Sequence, residues 1–233
     1  MATLILVRHG RSTANVAGIL SGRAAGVDLD AVGRSQAERT AERLAAVPLV
    51  AVISSPLARC RQTARAIAEH HSLPVQLEPD LLECDYGQWQ GRPLKELAHE
   101  PLWSVVQNQP SAAVFPGGES LAAMQARSVA AIRRRDAQLE AEHGTGAVWV
   151  AVSHGDIIKS VLADALGMEL DLFQRLTINP GSVSIIRYGT TRPEVVATNT
   201  DSGDLSWLRT AGPVGDAQVG GGAGPQAAGP AHS

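Results

Sequence analysis

The sequence predicts an α/β fold, a three-layer α/β/α sandwich around a mostly parallel, roughly six-stranded sheet. Three observations point there. Apolar runs at residues 4–7, 49–53 and 147–152 are too short for helices and read as buried strands. Longer stretches of polar–apolar period, bounded by helix start and stop signals, lie between them. The resulting order β-α-β-α-β-α-β-α-β-β places helices on both faces of a mainly parallel sheet. At 233 residues and 44% apolar content, the chain can bury one sizeable core. Aromatics make up only 3%, so that core is mostly Ala, Val, Leu and Ile.

The first strand, Leu4-Ile5-Leu6-Val7, ends in Arg8-His9-Gly10. Residues 18–30 are rich in Gly and small side chains and read as a loop. Asp30 is an N-cap candidate for a helix over 33–47, which Pro48 ends. After the 49–53 strand, Ser55 reads as an N-cap with Pro56 at the first helical position. That helix runs to about His71 and carries Arg59, Arg61 and Arg65. Pro74 opens a third strand at 75–78, and 81–91 is a loop with two glycines and two aromatics. Short helical pieces fill 94–107. A second Gly-containing loop at 115–120 leads into a long helix over 121–143, stopped by Gly144. The 147–152 strand runs into Ser153-His154-Gly155-Asp156, and a helix follows to Leu166, closed by Gly167. Residues 183–188 and 194–198 are the last strands, joined by a turn containing Gly189. One domain is expected over 1–210, followed by a Gly/Ala/Pro-rich disordered tail at 211–233.

Charge and composition exclude several classes. A net charge of −3 argues against a nucleic-acid binder held by bulk electrostatics. Cys60 and Cys84 form neither a metal-ligand spacing nor a disulfide framework, so they read as reduced and the protein as cytoplasmic. Arg8 interrupts the N-terminal apolar run well short of a signal-peptide core. No stretch reaches the roughly 18 apolar residues that a membrane span requires.

Chemistry concentrates at strand ends. In an open α/β sheet, groups at the carboxyl ends of strands face the ligand crevice. Arg8 offers an anion a rigid fork of donors, and His9 a nucleophilic or proton-transferring nitrogen. Gly10 allows a sharp turn and a close backbone approach. Three His-Gly pairs occur, against roughly 0.7 expected by chance from 7 His and 23 Gly. His143-Gly144 ends a charged helix and reads as a helix stop. His9-Gly10 and His154-Gly155 each follow an apolar strand, which brings two imidazoles to one sheet edge. Arg59 falls in about the first turn of the helix after the second strand, where free N–H groups and the dipole attract anions. Arg61 and Arg65 read as solvated.

Four ordered motifs carry a family resemblance. They are Arg8-His9-Gly10-x-Ser12-x-x-Asn15, Ser55-x-x-x-Arg59-x-x-x-Thr63, Leu81-x-Glu83-x-x-x-Gly87-x-Trp89-x-Gly91 and Ser153-His154-Gly155. Over residues 3–188 they resemble the histidine phosphatase (phosphoglycerate mutase-like) superfamily, nearest to its small bacterial phosphatase and phosphomutase branch. The resemblance implies that His9 attacks phosphorus and becomes a phosphohistidine, splitting one displacement into two. It implies that Arg8, Arg59 and His154 hold the transferring oxygens, with Asn15 and the Gly155 N–H as neutral donors. Glu83 would protonate the leaving oxygen and then deprotonate water. Neither a metal nor another cofactor is implied. Asp85 is the rival to Glu83, and Asn15 has a rival role in capping a turn. Trp89 reads as packing.

The chain also departs from the family pattern. Ser21-Gly22-Arg23 stands where Gln-Gly is common, so Ser21 is a shorter contact, while Gly22 and Arg23, with Arg11, are candidates for the pocket mouth. Gln90 stands where Glu is common. Asp156 stands where a small residue is frequent; it suits a helix N-terminus on its own account and is assigned no catalysis. Cys84 and Asp85 replace the Arg-His of the glycolytic mutases, and Pro116-Gly117-Gly118-Glu119-Ser120 looks like the phosphatase branch. The expected function is hydrolysis of small phosphate monoesters, with homo-oligomerisation left open. A phosphoglycerate mutase-type phosphomutase is the alternative. A phosphate-binding module without turnover is another, and it could dispense with Glu83. With ordinary pKa values of about 6.5 and about 4.3, neutral His9 and protonated Glu83 overlap poorly, so an acidic-to-neutral optimum is expected.

Overall fold

Six strands form one sheet: β1 (Thr3–Arg8), β2 (Leu49–Ser54), β3 (Val75–Leu77), β4 (Val148–Ser153), β5 (Val183–Tyr188) and β6 (Pro193–Thr200). The structure, a computed structural model, describes residues 2–201, 219–222 and 224. The strand order is β3-β2-β4-β1-β5-β6. Strands β1 to β4 pair in parallel, whereas β5 runs antiparallel to β1 and β6 antiparallel to β5. The mostly parallel six-stranded sheet expected from the sequence is therefore the observed one.

Helices α1 (Thr13–Ala17), α2 (Ala31–Leu44), α3 (Ala58–His71), α4 (Leu94–Leu97), α5 (Pro101–Asn108), α6 (Leu121–His143) and α7 (Gly155–Ala165) complete the described fold. Alternation along the strands divides the core in two. Ile5, Val7, Val52, Val150 and Val152 pack with Ala37 and Ala41 of α2 and with Ala64 and Ile67 of α3. Leu4, Leu6, Ile53, Trp149 and Ala151 pack in the other cluster with Met124 and Ile132 of α6 and Ile158 and Leu162 of α7. Burial on both faces explains why the strands read as unbroken apolar runs. Among the described residues, no helix is long and apolar enough to cross a membrane.

Three departures from expectation bear on function. Strands β2 and β4 each extend one residue further, to Ser54 and Ser153, carrying their ends closer to the crevice. Ser55 does not cap α3. That helix starts at Ala58 after an uncapped Leu57, because the Ser55 hydroxyl is taken by His154. Of the stretch expected to be a disordered tail, residues 211–218, 223 and 225–233 lie outside the described residues. Within it, Val219–Gly221 form a short 3-10 turn with Val219 buried. The backbone on either side finds polar partners, the Gly220 N–H at Asp156 and the Gly222 carbonyl at Arg8, which seats this piece at the sheet edge.

Candidate active site

The register of β1 against β4 builds the centre of the site. Arg8 pairs with Ser153, so His9 and His154 leave the sheet side by side, their ring centroids 5.3 Å apart. The chain then turns at Gly10, whose N–H donates to the Thr63 hydroxyl at 3.1 Å. A Cβ at Gly10 would collide with the carbonyl of Gly33 in the first turn of α2. Close packing of two backbones is thus what requires glycine there.

Hydrogen bonds fix the state of both imidazoles. His9 Nδ1–H donates to the Gly10 carbonyl at 2.7 Å, which puts the ring's lone pair on Nε2. Arg59 Nε approaches that nitrogen at 3.3 Å. Arg59 Nη2 donates to the Gly22 carbonyl at 2.8 Å and to His154 Nδ1 at 3.2 Å. Since His154 accepts at Nδ1, its proton sits on Nε2 and is donated to the Ser55 hydroxyl at 2.8 Å. Burial, then Arg59 and Arg8, holds His9 well below the ordinary imidazole range. Burial, then Arg59 and His9, does the same for His154. Both rings are neutral at neutral pH, the state a nitrogen nucleophile needs.

The two arginines are fully buried, whereas Arg61 and Arg65 are exposed. Arg8 donates from Nη1 to the Ile178 carbonyl at 2.7 Å and from Nη2 to the Gly222 carbonyl at 2.6 Å. Burial draws Arg8 down to about 10, which leaves it cationic at neutral pH. Arg8 Nε and Arg59 Nη1 are buried and have no partner among the described residues. An unsatisfied donor on a buried cation is costly, and two of them around one imidazole mark an anion site.

A narrow recess opens beside them, lined by His9, Asn15, Ser21, Gly22, Arg59 and Glu83, with Tyr86, Leu94 and Val219–Gly220 among its walls. Asn15 makes the cap considered for it and also lines the recess. Its Oδ1 accepts from the Ser12 N–H at 3.0 Å and the Ser12 hydroxyl at 2.9 Å in a capping box, which leaves its amide NH2 for the recess. Arg8, His154 and Gly155 are not among its lining residues. His154, with both ring nitrogens engaged, acts here on Arg59 rather than presenting an N–H to the recess. Gly155 opens α7.

Glu83 is 3% exposed, and its Oε1 accepts from the Cys84 N–H at 2.9 Å. Burial first, and the charge of Asp156 second, raise it to about 7 against the pull of the Cys84 N–H, Arg59 and Arg8. Its rival Asp85 has a side chain 41% exposed, bonded to the Gly87 N–H, and does not line the recess. Glu83 is therefore the carboxyl in place.

Arg23 is not at the pocket mouth. Gln90 Oε1 holds its backbone N–H at 2.8 Å, and its guanidinium donates to the Glu83 carbonyl and to Glu119, each at 2.8 Å. Those acceptors draw it under the Glu83 loop. Arg127 joins the same clamp, donating to Glu119 Oε1 at 2.6 Å and to the Glu83 carbonyl at 3.2 Å. Arg11 pairs with Asp30 at 2.7 Å. Sequence reasoning gave no site role to Tyr86, Glu119 or Arg127. Glu119 had a signal in the Pro-Gly-Gly-Glu-Ser run. Arg127 had none, because two of its acceptors, the Asp80 and Glu83 carbonyls, lie more than forty residues away in sequence.

A neutral histidine beside the buried Arg59 guanidinium, with Arg8 buried next to it in sequence and a carboxyl raised to about 7 in the same recess, fits a phosphoryl-transfer site. The chain belongs to the histidine phosphatase superfamily (branch 1), whose sequence profile it matches over residues 4–201. It is 32% identical over 190 residues to a probable phosphoglycerate mutase GpmB of Yersinia enterocolitica, covering 81% of this chain and 86% of that one. It is 32% identical over 202 residues to phosphoserine phosphatase 1 of Hydrogenobacter thermophilus, covering 85% and 92%. The solved structure of Bacillus stearothermophilus YhfR superposes with a TM-score of 0.79 at 26% identity, covering 87% of this chain and 98% of that one.

Proposed function

We propose that the chain hydrolyses small phosphate monoesters through a phosphohistidine at His9. The observation that carries this reading is the pair of buried donors without a partner among the described residues, Arg8 Nε and Arg59 Nη1, near a neutral His9. His9 Nε2 attacks phosphorus and the ester P–O bond breaks. Glu83 gives its proton to the leaving oxygen, and the alcohol departs. The Glu83 carboxylate then takes a proton from water, whose oxygen attacks phosphorus as the N–P bond breaks. Phosphate leaves, with His9 neutral and Glu83 protonated once more. Arg59 and Arg8 oppose the charge on the equatorial oxygens throughout, the main task in phosphoryl transfer. His154 and Ser55 keep the Arg59 fork oriented. Phosphatase-named relatives support hydrolysis, and buried, free Cys60 and Cys84 support a cytoplasmic setting.

Phosphate release from p-nitrophenyl phosphate and phosphoserine, with wild type and His9→Ala, tests the proposal. Wild type turns over, and the variant loses about a thousandfold or more. Full activity in His9→Ala overturns it. A second reading, phosphoryl transfer to a product hydroxyl, is favoured by the GpmB likeness. Supplying 3-phosphoglycerate with its bisphosphate separates the two, since isomerisation outpacing phosphate release supports the mutase.

A further inference from the structure

One buried charge is explained neither by the four motifs nor by the recess. Asp156, in the first turn of α7, is 1% exposed. Its Oδ2 accepts from the Tyr86 hydroxyl at 2.7 Å and from the Gly220 N–H at 2.9 Å. Its Oδ1 is buried without a hydrogen-bond partner among the described residues. Lys159 Nζ forms a buried ion pair with that oxygen at 3.7 Å and also donates to Gln174 Oε1 at 2.9 Å. Favourable placement at a helix start does not account for this. An exposed carboxylate would meet the same helix dipole without the desolvation cost of a buried one.

We propose that Asp156 is a positioning residue for the acid, fastening the Glu83 loop through Tyr86 and adding a second buried carboxylate to the surroundings of Glu83. The inference rests on the reading of Glu83 as the acid. Tyr86 lies three residues beyond Glu83, is fully buried, and meets Phe115 edge-on at 4.9 Å, so its hydroxyl is a rigid tie. The loop is therefore fastened twice, by Arg23 and Arg127 on the Glu83 carbonyl and by Asp156 on Tyr86.

The charge acts on the same group. Arg8 from β1, Arg59 from α3 and the Cys84 N–H favour the Glu83 carboxylate, whereas Asp156 from α7 opposes it. Lys159, also on α7, interacts with both Asp156 and Glu83. Burial holds the Cys60 and Cys84 thiols and the Tyr86 phenol neutral, so they add no negative charge. Two carboxylates close together in a medium of low polarity do not both ionise cheaply. Burial and Asp156 together outweigh the cations, and Glu83 sits at about 7.

The test is kcat/KM against pH for glycerol 2-phosphate, whose alkoxide leaving group needs the acid's proton. Wild type, Asp156→Asn, Lys159→Met and Glu83→Gln are compared; ionisation of the substrate is common to all four. Asp156→Asn keeps an oxygen for Tyr86 and removes the charge. Its alkaline limb is expected to move down by about one unit, so that it loses about tenfold more activity at pH 8 than at pH 5. Lys159→Met removes the opposing cation and moves the limb up. A merely structural role produces no such opposite pair. If Asp156→Asn lowers the whole profile without moving the limb, the proposal is overturned. If Asp156→Asn does not fold, a Lys159→Met limb that stays or moves down overturns it instead. Glu83→Gln separates the two layers: a wild-type profile there removes the acid reading itself, whereas a lost limb there with an unmoved limb in Asp156→Asn removes only the role of Asp156.

Discussion

Removing Arg59 is the most informative perturbation of the phosphate pocket, because one side chain serves four ends. Its guanidinium bonds His9 Nε2, His154 Nδ1 and the Gly22 carbonyl, and its Nη1 has no partner among the described residues. Loss of a preorganised donor to transition-state charge costs on the order of 10²–10³ in rate, or about 3–4 kcal/mol. Arg59→Ala is accordingly expected to lose about a thousandfold in kcat/KM, mostly in kcat. A second effect has its own sign. After burial, Arg59 is the strongest influence holding His9 low, so its removal lets the imidazole protonate at higher pH. The acidic limb of the pH–rate profile then moves up toward about 6.5. Arg59→Lys recovers less than about tenfold, since a point charge cannot span three acceptors as a planar fork does. The assay is kcat and KM for p-nitrophenyl phosphate from pH 4 to 9, with thermal melts to confirm folding. A folded Arg59→Ala that loses under tenfold, or whose acidic limb stays in place, refutes the reasoning.

Other expectations follow from the same geometry. Gly10→Ala drives a Cβ into the Gly33 carbonyl and should cost about 1–3 kcal/mol in urea unfolding; an unchanged midpoint contradicts the close approach. Glu119→Ala releases Arg23, Arg127 and the Asp85 N–H from one carboxylate oxygen. It should lower kcat about tenfold with KM little changed, as expected for a group that positions the acid. Stability should also depend on pH in two opposite ways. Unfolding lets His9 and His154 protonate at about 6.5, so their contribution is present above that pH and is lost below it, by at most about 1.4 kcal/mol per pH unit for each ring. Glu83, raised when folded, contributes below its unfolded value of about 4.3 and loses that contribution as pH rises through about 7. Urea midpoints from pH 4 to 8 check both signs.

Much of the fold was legible because its signals are local. Asp30 and Ser120 each cap their helix, and α6 starts and stops at the predicted residues because Ser120 and Gly144 flank it. The placement of His9 beside His154 was legible because both follow strands that parallel pairing brings together, and that of Arg59 because it opens the helix after β2. What was not legible depends on distant partners. Ser55 looks like a cap until His154 arrives from β4. Arg23 looks like a mouth residue until Glu119 and the Glu83 carbonyl claim it. Asp156 looks like a helix-start residue until Tyr86 and Gly220 close over it. The poor overlap expected between neutral His9 and protonated Glu83 was likewise a limit of ordinary pKa values. Burial moves the two groups past each other, which opens an acidic-to-neutral window bounded above at about 7.

The central claim is that the phosphoryl group passes through His9, and direct capture of that intermediate tests it. Enzyme mixed with substrate and quenched in alkali, where phosphohistidine survives, is digested and sequenced by mass spectrometry, with 31P NMR to identify the ring nitrogen. The account predicts one phosphorylated peptide, modified at His9 on Nε2 and missing in His9→Ala. Phosphate on another residue, or rapid turnover with no trapped phosphoenzyme, contradicts it.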